Sequence, residues 1–208
     1  MFDPNFKAFL IVAAALVISP GATMAVVTEM ALARGRFAAL LTVAGVNIAN
    51  SSMALASMFG LSALLHHWPS LLRGVSLAGA AYLTYLGVKA LWQVMARRAV
   101  DAKGRAVSES AGKSSAVVRG ILTNFLNPSV VLFYVLLLPQ FIAVTDPFYR
   151  RFLLLATTHV SMSIVWLSAY ALAIGSLSER MESPGVRRTL ETATGLVLLT
   201  LGVKLMLK

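Results

Sequence analysis

The sequence predicts an all-α integral membrane protein, with six transmembrane helices in two three-helix inverted repeats. Three observations carry this. Of 208 residues, 58% are hydrophobic and 12% charged, about half the charged share of a soluble domain. Six apolar segments divide the chain, and about 20 residues suffice to cross the hydrocarbon as a helix. The chain also resembles itself at an offset of 115 residues. A mean hydropathy of +0.80 excludes a water-facing globule, and the absence of cysteine excludes a disulfide scaffold and thiolate metal sites. The net charge of +10 would point to nucleic acid in a soluble protein. Here the basic residues lie between apolar runs, where they set orientation against anionic lipid, so nucleic acid is not expected as a partner.

The segments follow in order. The first is uncharged from Ala8 to Thr28. It differs from a signal peptide in its weakly basic start, with Asp3 and Lys7, and in the apolar character that continues past Ala25. The second is uncharged from Phe37 to Leu65. The third runs from about Gly74 to Met95 and carries Lys89, which can snorkel to the interface. The fourth is uncharged from Gly120 to Thr145. The fifth, Phe152 to Ser178, contains His159. The sixth runs from about Thr192 to Leu207 and carries Lys204.

Between the third and fourth lies a basic, serine-containing stretch, 97–119. It reads as a linker between a first repeat, residues 1–96, and a second, residues 120–208. Arg34, Arg36, the linker's six basic residues, Arg180, Arg187 and Arg188 fall on one side of the membrane. Lys7, Arg73, Arg150, Arg151 and Lys208 fall on the other. The positive-inside rule then puts the linker in the cytoplasm and both termini outside, in a bacterial inner membrane.

At the 115-residue offset, Leu86-Gly87-Val88-Lys89 falls on Leu201-Gly202-Val203-Lys204, Arg36-Phe37 on Arg151-Phe152, Pro69 on Pro184 and Arg73 on Arg188. Oiliness does not explain matched proline, arginine and lysine. The first and fourth segments join the match only with a gap of seven residues. Three spans per half is an odd number, so the second half enters from the opposite face. Two such halves can expose one central site to either side in turn.

Candidate site residues lie where the spans break. Ser19-Pro20-Gly21 interrupts the first and Asn127-Pro128 the fourth. Proline removes a backbone hydrogen bond, and in lipid the freed groups must find protein or cavity water. Paired breaks in two repeats point to a binding site between them. Half-helix N-termini suit a carboxylate and freed carbonyls an ammonium. Pro20, Gly21, Thr23 and Pro128 are therefore candidate substrate contacts. Asn47 and Asn50, three apart on one helical face, are matched by Asn124 and Asn127. These amides could wall a neutral cavity or tie helices together. Glu29 and His159 are candidate proton-coupling groups. Glu29 could instead pair with Arg34 or Arg36, and His159 could be structural. Small residues of the second span, from Ala44 to Gly60, permit close helix approach and homodimerisation.

These residues resemble the lysine-exporter (LysE/RhtB) family of bacterial amino-acid exporters over essentially the whole chain. Ser19-Pro20-Gly21-Ala22 resembles the family's Pro-Gly-Pro motif, and Gly35 followed by Gly45 its glycine-spaced second span. Tyr82-Leu83-Thr84-Tyr85-Leu86-Gly87 resembles its third-span motif. Thr123-Asn124-Phe125-Leu126-Asn127-Pro128 with Pro139-Gln140-Phe141 resembles its fourth. Three positions depart from the pattern. Ala22 replaces the second proline, Ala49-Asn50 stands where Gly-Asp is frequent, and Ser129 replaces a lysine.

The resemblance implies export of amino acids or small related metabolites, driven by the proton gradient. A metal-ion exporter would need clustered ligands, and His66, His67 and His159 are the only histidines. A hydrolase built on His159 and Ser161 fails because positions two apart do not face each other on a helix. A non-transporting assembly protein leaves the paired breaks unexplained. Nothing in the sequence asks for a cofactor or a resident metal.

Overall fold

The computed structural model describes residues 4–67, 71–97, 115–143, 145–174 and 183–206, and its regular elements are helices. They are α1 (Pro4–Ile18), α2 (Ala22–His67), α3 (Leu71–Arg97), α4 (Ala116–Phe125), α5 (Pro128–Leu132), α6 (Phe148–Leu172) and α7 (Pro184–Met206). A π-helical turn (Phe133–Leu137) and a 3-10 turn (Leu138–Phe141) continue α5.

The breaks fall where the prolines require them. Pro20 lies in the gap between α1 and α2. Pro128 opens α5 after Asn127, whose side-chain oxygen accepts the Ser129 N–H (3.1 Å) as an N-cap. The α4–α5 bend is 61°. Pro139 has no N–H to give the turn before it, and there the ladder widens: Leu138 N–H bonds the Phe133 carbonyl five residues back.

α2 is two arms joined at Gly35, whose φ of 84° lies outside any helix and suits glycine. The chain reverses there. Before Gly35 it runs parallel to α6: Phe6 faces Arg151 (5.8 Å) and the Thr28 hydroxyl faces Tyr170 (2.7 Å). After Gly35 it runs antiparallel to α6, Asn50 facing Ser163 and Phe59 facing Tyr149. The expected loop between the first two spans is thus a single turn at Gly35.

Two pairs of helices approach at glycines. A Cβ on Gly45 would overlap the backbone of Val117 and Ile121, and one on Gly120 that of Thr42 and Val46. α3 and α7 cross antiparallel. A Cβ on Gly87 would meet Gly195 and Leu199, and one on Gly202 would meet Thr84 and Ala80. Pro4 and Met206 end on the same side of the bundle, because Phe9 packs on Phe141 while Gly79 approaches Gln140 of the same turn.

Boundaries shift from the sequence expectation where caps decide them. α4 starts at Ala116, four residues before the uncharged run, because Ser115 accepts the Val118 N–H (3.2 Å). α7 starts at Pro184 rather than near Thr192, proline being favoured in the first turn. Glu191 is therefore two turns inside that helix. By length and composition, two helices among the described residues can each cross a membrane, Ala22–Leu61 and Phe148–Leu172, and the bent pair Ala116–Phe125 with Pro128–Phe141 makes a third. Residues 98–114 of the linker and Trp68 lie outside the described residues, as do the side chains of His66, His67 and Lys204.

Two apolar cores hold the bundle. One joins α1 (Phe6, Phe9) to the far arm of α2 (Met53, Met58), the π turn and the start of α6. The other joins both arms of α2 around Gly35 to the end of α6 (Leu167, Tyr170).

Candidate functional site

Between the two cores sits a layer of buried polar groups. Asn47, Asn50 and Asn124 are 6%, 3% and 1% exposed, and the structure brings them together. Asn124 Nδ2 donates to Asn50 Oδ1 (2.8 Å) and to the Val46 carbonyl (3.2 Å). Asn50 Nδ2 donates to Asn47 Oδ1 (3.4 Å) and Ser163 Oγ (3.5 Å). Asn47 Nδ2 donates to the Val43 carbonyl (2.9 Å). The local cause is the Gly45–Gly120 approach, which brings α4 close enough for a short amide to reach the α2 backbone. A neutral network of this kind satisfies its members without a charge.

The other predicted contacts are placed differently. Pro20 and Thr23 are half-buried and Gly21 is exposed. Asn127 is half-buried with its side chain capping α5, and Pro128 is exposed. So Asn127 does not join the amide layer, although its spacing from Asn124 matches that of Asn47 and Asn50. The cause is the bend, which ends the helical register at Phe125. A groove of about 610 Å³ opens between α2 and α6, lined by Ala44, Asn47, Ser51, Ile164 and Ser168 among others. Of the predicted site residues, Asn47 lies on its wall.

The two ionisable candidates have partners the sequence did not indicate. Glu29 Oε1 lies 2.8 Å from an Arg119 guanidinium nitrogen, both side chains about one-fifth exposed. Arg119 lies in the first turn of α4, so the pair ties the first arm of α2 to α4. The expectation was Arg34 or Arg36. Next to it, the Thr28 hydroxyl bonds both the Met24 carbonyl (3.0 Å) and Tyr170. His159 is 8% exposed and its Nδ1 lies 2.9 Å from the hydroxyl of Tyr134, which is 0% exposed. Phe133 packs on the same imidazole at 4.3 Å. Ser161 is exposed, on another face of α6 from His159. Tyr134, Ser163 and Arg119 are thus the polar groups that sequence reasoning missed. The signal available was a tyrosine and a serine inside otherwise apolar runs, which marks neither without knowing the partner helix.

Comparison with known proteins gives a consistent picture. The family model described as LysE type translocator matches residues 14–208. A leucine efflux protein of Salmonella choleraesuis is 32% identical over 166 residues, 79% of this chain and 76% of the relative. A homoserine/homoserine lactone efflux protein of Salmonella typhimurium is 26% identical over 198 residues, covering 95% and 94%. An uncharacterized membrane protein, YrhP, of Bacillus subtilis is 28% identical over 204 residues, covering 96% and 97%. No solved structure matches.

Proposed function

We propose that the chain, which belongs to the LysE type translocator family, exports amino acids or small related metabolites from the bacterial cytoplasm by alternating access, coupled to the proton gradient. Its membership makes it a membrane translocator, and its relatives include amino-acid efflux proteins.

The observation that carries the mechanism is the α3–α7 contact. Gly87 meets Gly195 and Leu199, and Gly202 meets Ala80 and Thr84. Each residue in the second set lies 115 positions from its counterpart in the first. That is the contact pattern of two like units related by a two-fold axis, and their opposed directions agree with inverted repeats of three spans each. Six spans then follow if α1 and the first arm of α2 together form one broken span. Arg34, Arg36 and Arg119 lie at the linker end, which supports a cytoplasmic linker and both termini outside.

In this reading, substrate binds between the halves, near Pro20, Gly21, Thr23, Asn47, Asn50, Asn124, Asn127 and Pro128. The first-turn N–H groups of α2 have no intrahelical acceptors and would receive a carboxylate. Pro20 withholds the N–H that a continuous helix would give to Leu16, so carbonyls before the break would receive an ammonium. The amide layer adds neutral hydrogen-bonding groups and ties α2 of the first half to α4 and α6 of the second. Its bonds are individually weak, about 0.6 kcal/mol on average in a membrane protein, so they can exchange as the halves move. The glycine contacts let helices slide without interlocked side chains. Homodimerisation through the small-residue face of α2 is compatible with this arrangement. Counterflow of labelled amino acids into vesicles holding the purified protein tests the reading.

A further inference from the structure

We propose that His159 and Tyr134 together form the proton-binding site through which a pH gradient drives export. This rests on the exporter reading and selects between its two ionisable candidates. Glu29 has its carboxylate on the Arg119 guanidinium at one end of the bundle, where the pair ties α2 to α4. His159 has no such counter-ion among the described residues. Its ring lies among Phe133, Tyr134 and the apolar core of α1, α6 and the π turn, and an ionisable group kept at membrane depth is a functional group by default.

Among the described side chains, the charged groups of the packed elements have other surroundings: Lys89 of α3 is exposed over the Tyr85 ring (5.7 Å) and Arg188 of α7 is exposed. Lys7 of α1 is exposed and follows Phe6, which faces Arg151 eight residues from His159 on α6. Asp146 pairs with Arg151 (3.6 Å). Glu29, Arg34 and Arg36 of α2 lie toward Tyr170, about 16 Å along α6 from His159. Among the described residues, Tyr134 is the titratable group in contact with the imidazole.

The pair has the chemistry of a switch. The switch uses the tautomer of neutral His159 with hydrogen on Nε2, in which Nδ1 accepts the Tyr134 O–H. When a proton binds, both ring nitrogens carry hydrogen. Nδ1 must then donate, and the Tyr134 hydroxyl proton must turn to another acceptor. No covalent bond other than N–H forms or breaks, and the proton leaves by the same atom. Tyr134 sits in the π turn ahead of Pro139, a stretch whose helical ladder is already interrupted. π turns of this kind recur at functional sites. A change in what Tyr134 bonds therefore acts on the deformable part of the broken fourth segment. One turn further along the same face of α6, Ser163 bonds Asn50. Proton site and amide layer thus share one rigid helix.

The test uses vesicles holding the full chain and loaded with a labelled mixture of the common amino acids. Exchange is measured without a pH gradient, and efflux with one. In His159→Gln, exchange is expected to stay near the wild-type rate while the acceleration by the gradient is lost. In Tyr134→Phe, the acceleration is expected to persist with its pH dependence displaced. That variant removes one oxygen and no carbon, so it keeps the proposal testable if His159→Gln does not fold. A purely structural role would lower exchange and gradient-driven efflux together. Either folded variant keeping wild-type acceleration and wild-type pH dependence would overturn the proposal. Wild-type exchange that ignores the gradient would overturn it and leave the exporter standing. No wild-type exchange at all would overturn the exporter reading and this proposal with it.

Discussion

The amide layer makes the sharpest quantitative prediction. Asn124→Ala removes two hydrogen bonds, to Asn50 (2.8 Å) and to the Val46 carbonyl (3.2 Å). Hydrogen bonds between membrane helices are worth about 0.6 kcal/mol on average and about 1.7 at most, so the loss is roughly 1 to 3 kcal/mol. Asn50→Ala removes the same bond from the other side, along with those to Asn47 and Ser163. The double variant loses the shared bond only once. It should therefore be more stable than the sum of the single losses by about 0.6 to 1.7 kcal/mol. Equilibrium unfolding in mixed micelles by a denaturing detergent measures all four corners of the cycle. Strict additivity would refute the Asn50–Asn124 bond. The same proteins decide whether the layer also meets substrate. If the amides only tie helices, variants that remain folded transport at the wild-type rate. If they wall the site, transport falls further than stability does.

Two further predictions follow from the packing. Gly45→Ala and Gly120→Ala push a methyl into the backbone of the facing helix and should each destabilise by about 1 to 3 kcal/mol. Gly60→Ala, where a Cβ meets nothing, should be neutral or stabilising by about 0.5 to 1 kcal/mol; thermal unfolding of the three reads the contrast, and equal effects would refute the close α2–α4 approach. The chain has no cysteine, so Glu29→Cys with Arg119→Cys gives a clean pair for a bifunctional thiol reagent. Clamping the linker end should abolish exchange in the cross-linked protein while each single variant, treated alike, still exchanges; unimpaired exchange in the clamped protein would refute relative movement of the halves there.

Much of this was legible in the sequence because the relevant physics is local. Ser19-Pro20-Gly21 and Asn127-Pro128 mark the breaks, since proline cannot continue the ladder whatever surrounds it. The spacing of Asn47 and Asn50 places them on one face by helix geometry alone. Asn127 shows where such reasoning ends: its spacing from Asn124 matches, but a bend of 61° intervenes and its side chain turns to cap α5. The pairings of Glu29 with Arg119 and of His159 with Tyr134 depend on which helices pack together. They span 90 and 25 residues, and no local rule reaches that far. The start of α7 at Pro184 lies ahead of the apolar run, because a helix in a membrane protein extends beyond the hydrocarbon.

Whether this chain moves amino acids across a membrane is read by counterflow. Purified protein in vesicles is loaded in turn with each common amino acid and with homoserine, and entry of the corresponding labelled tracer is followed with and without a pH gradient. The expected result is tracer accumulation for one chemical class, quickened by the gradient. Vesicles containing demonstrably folded protein that exchange none of these compounds would contradict it.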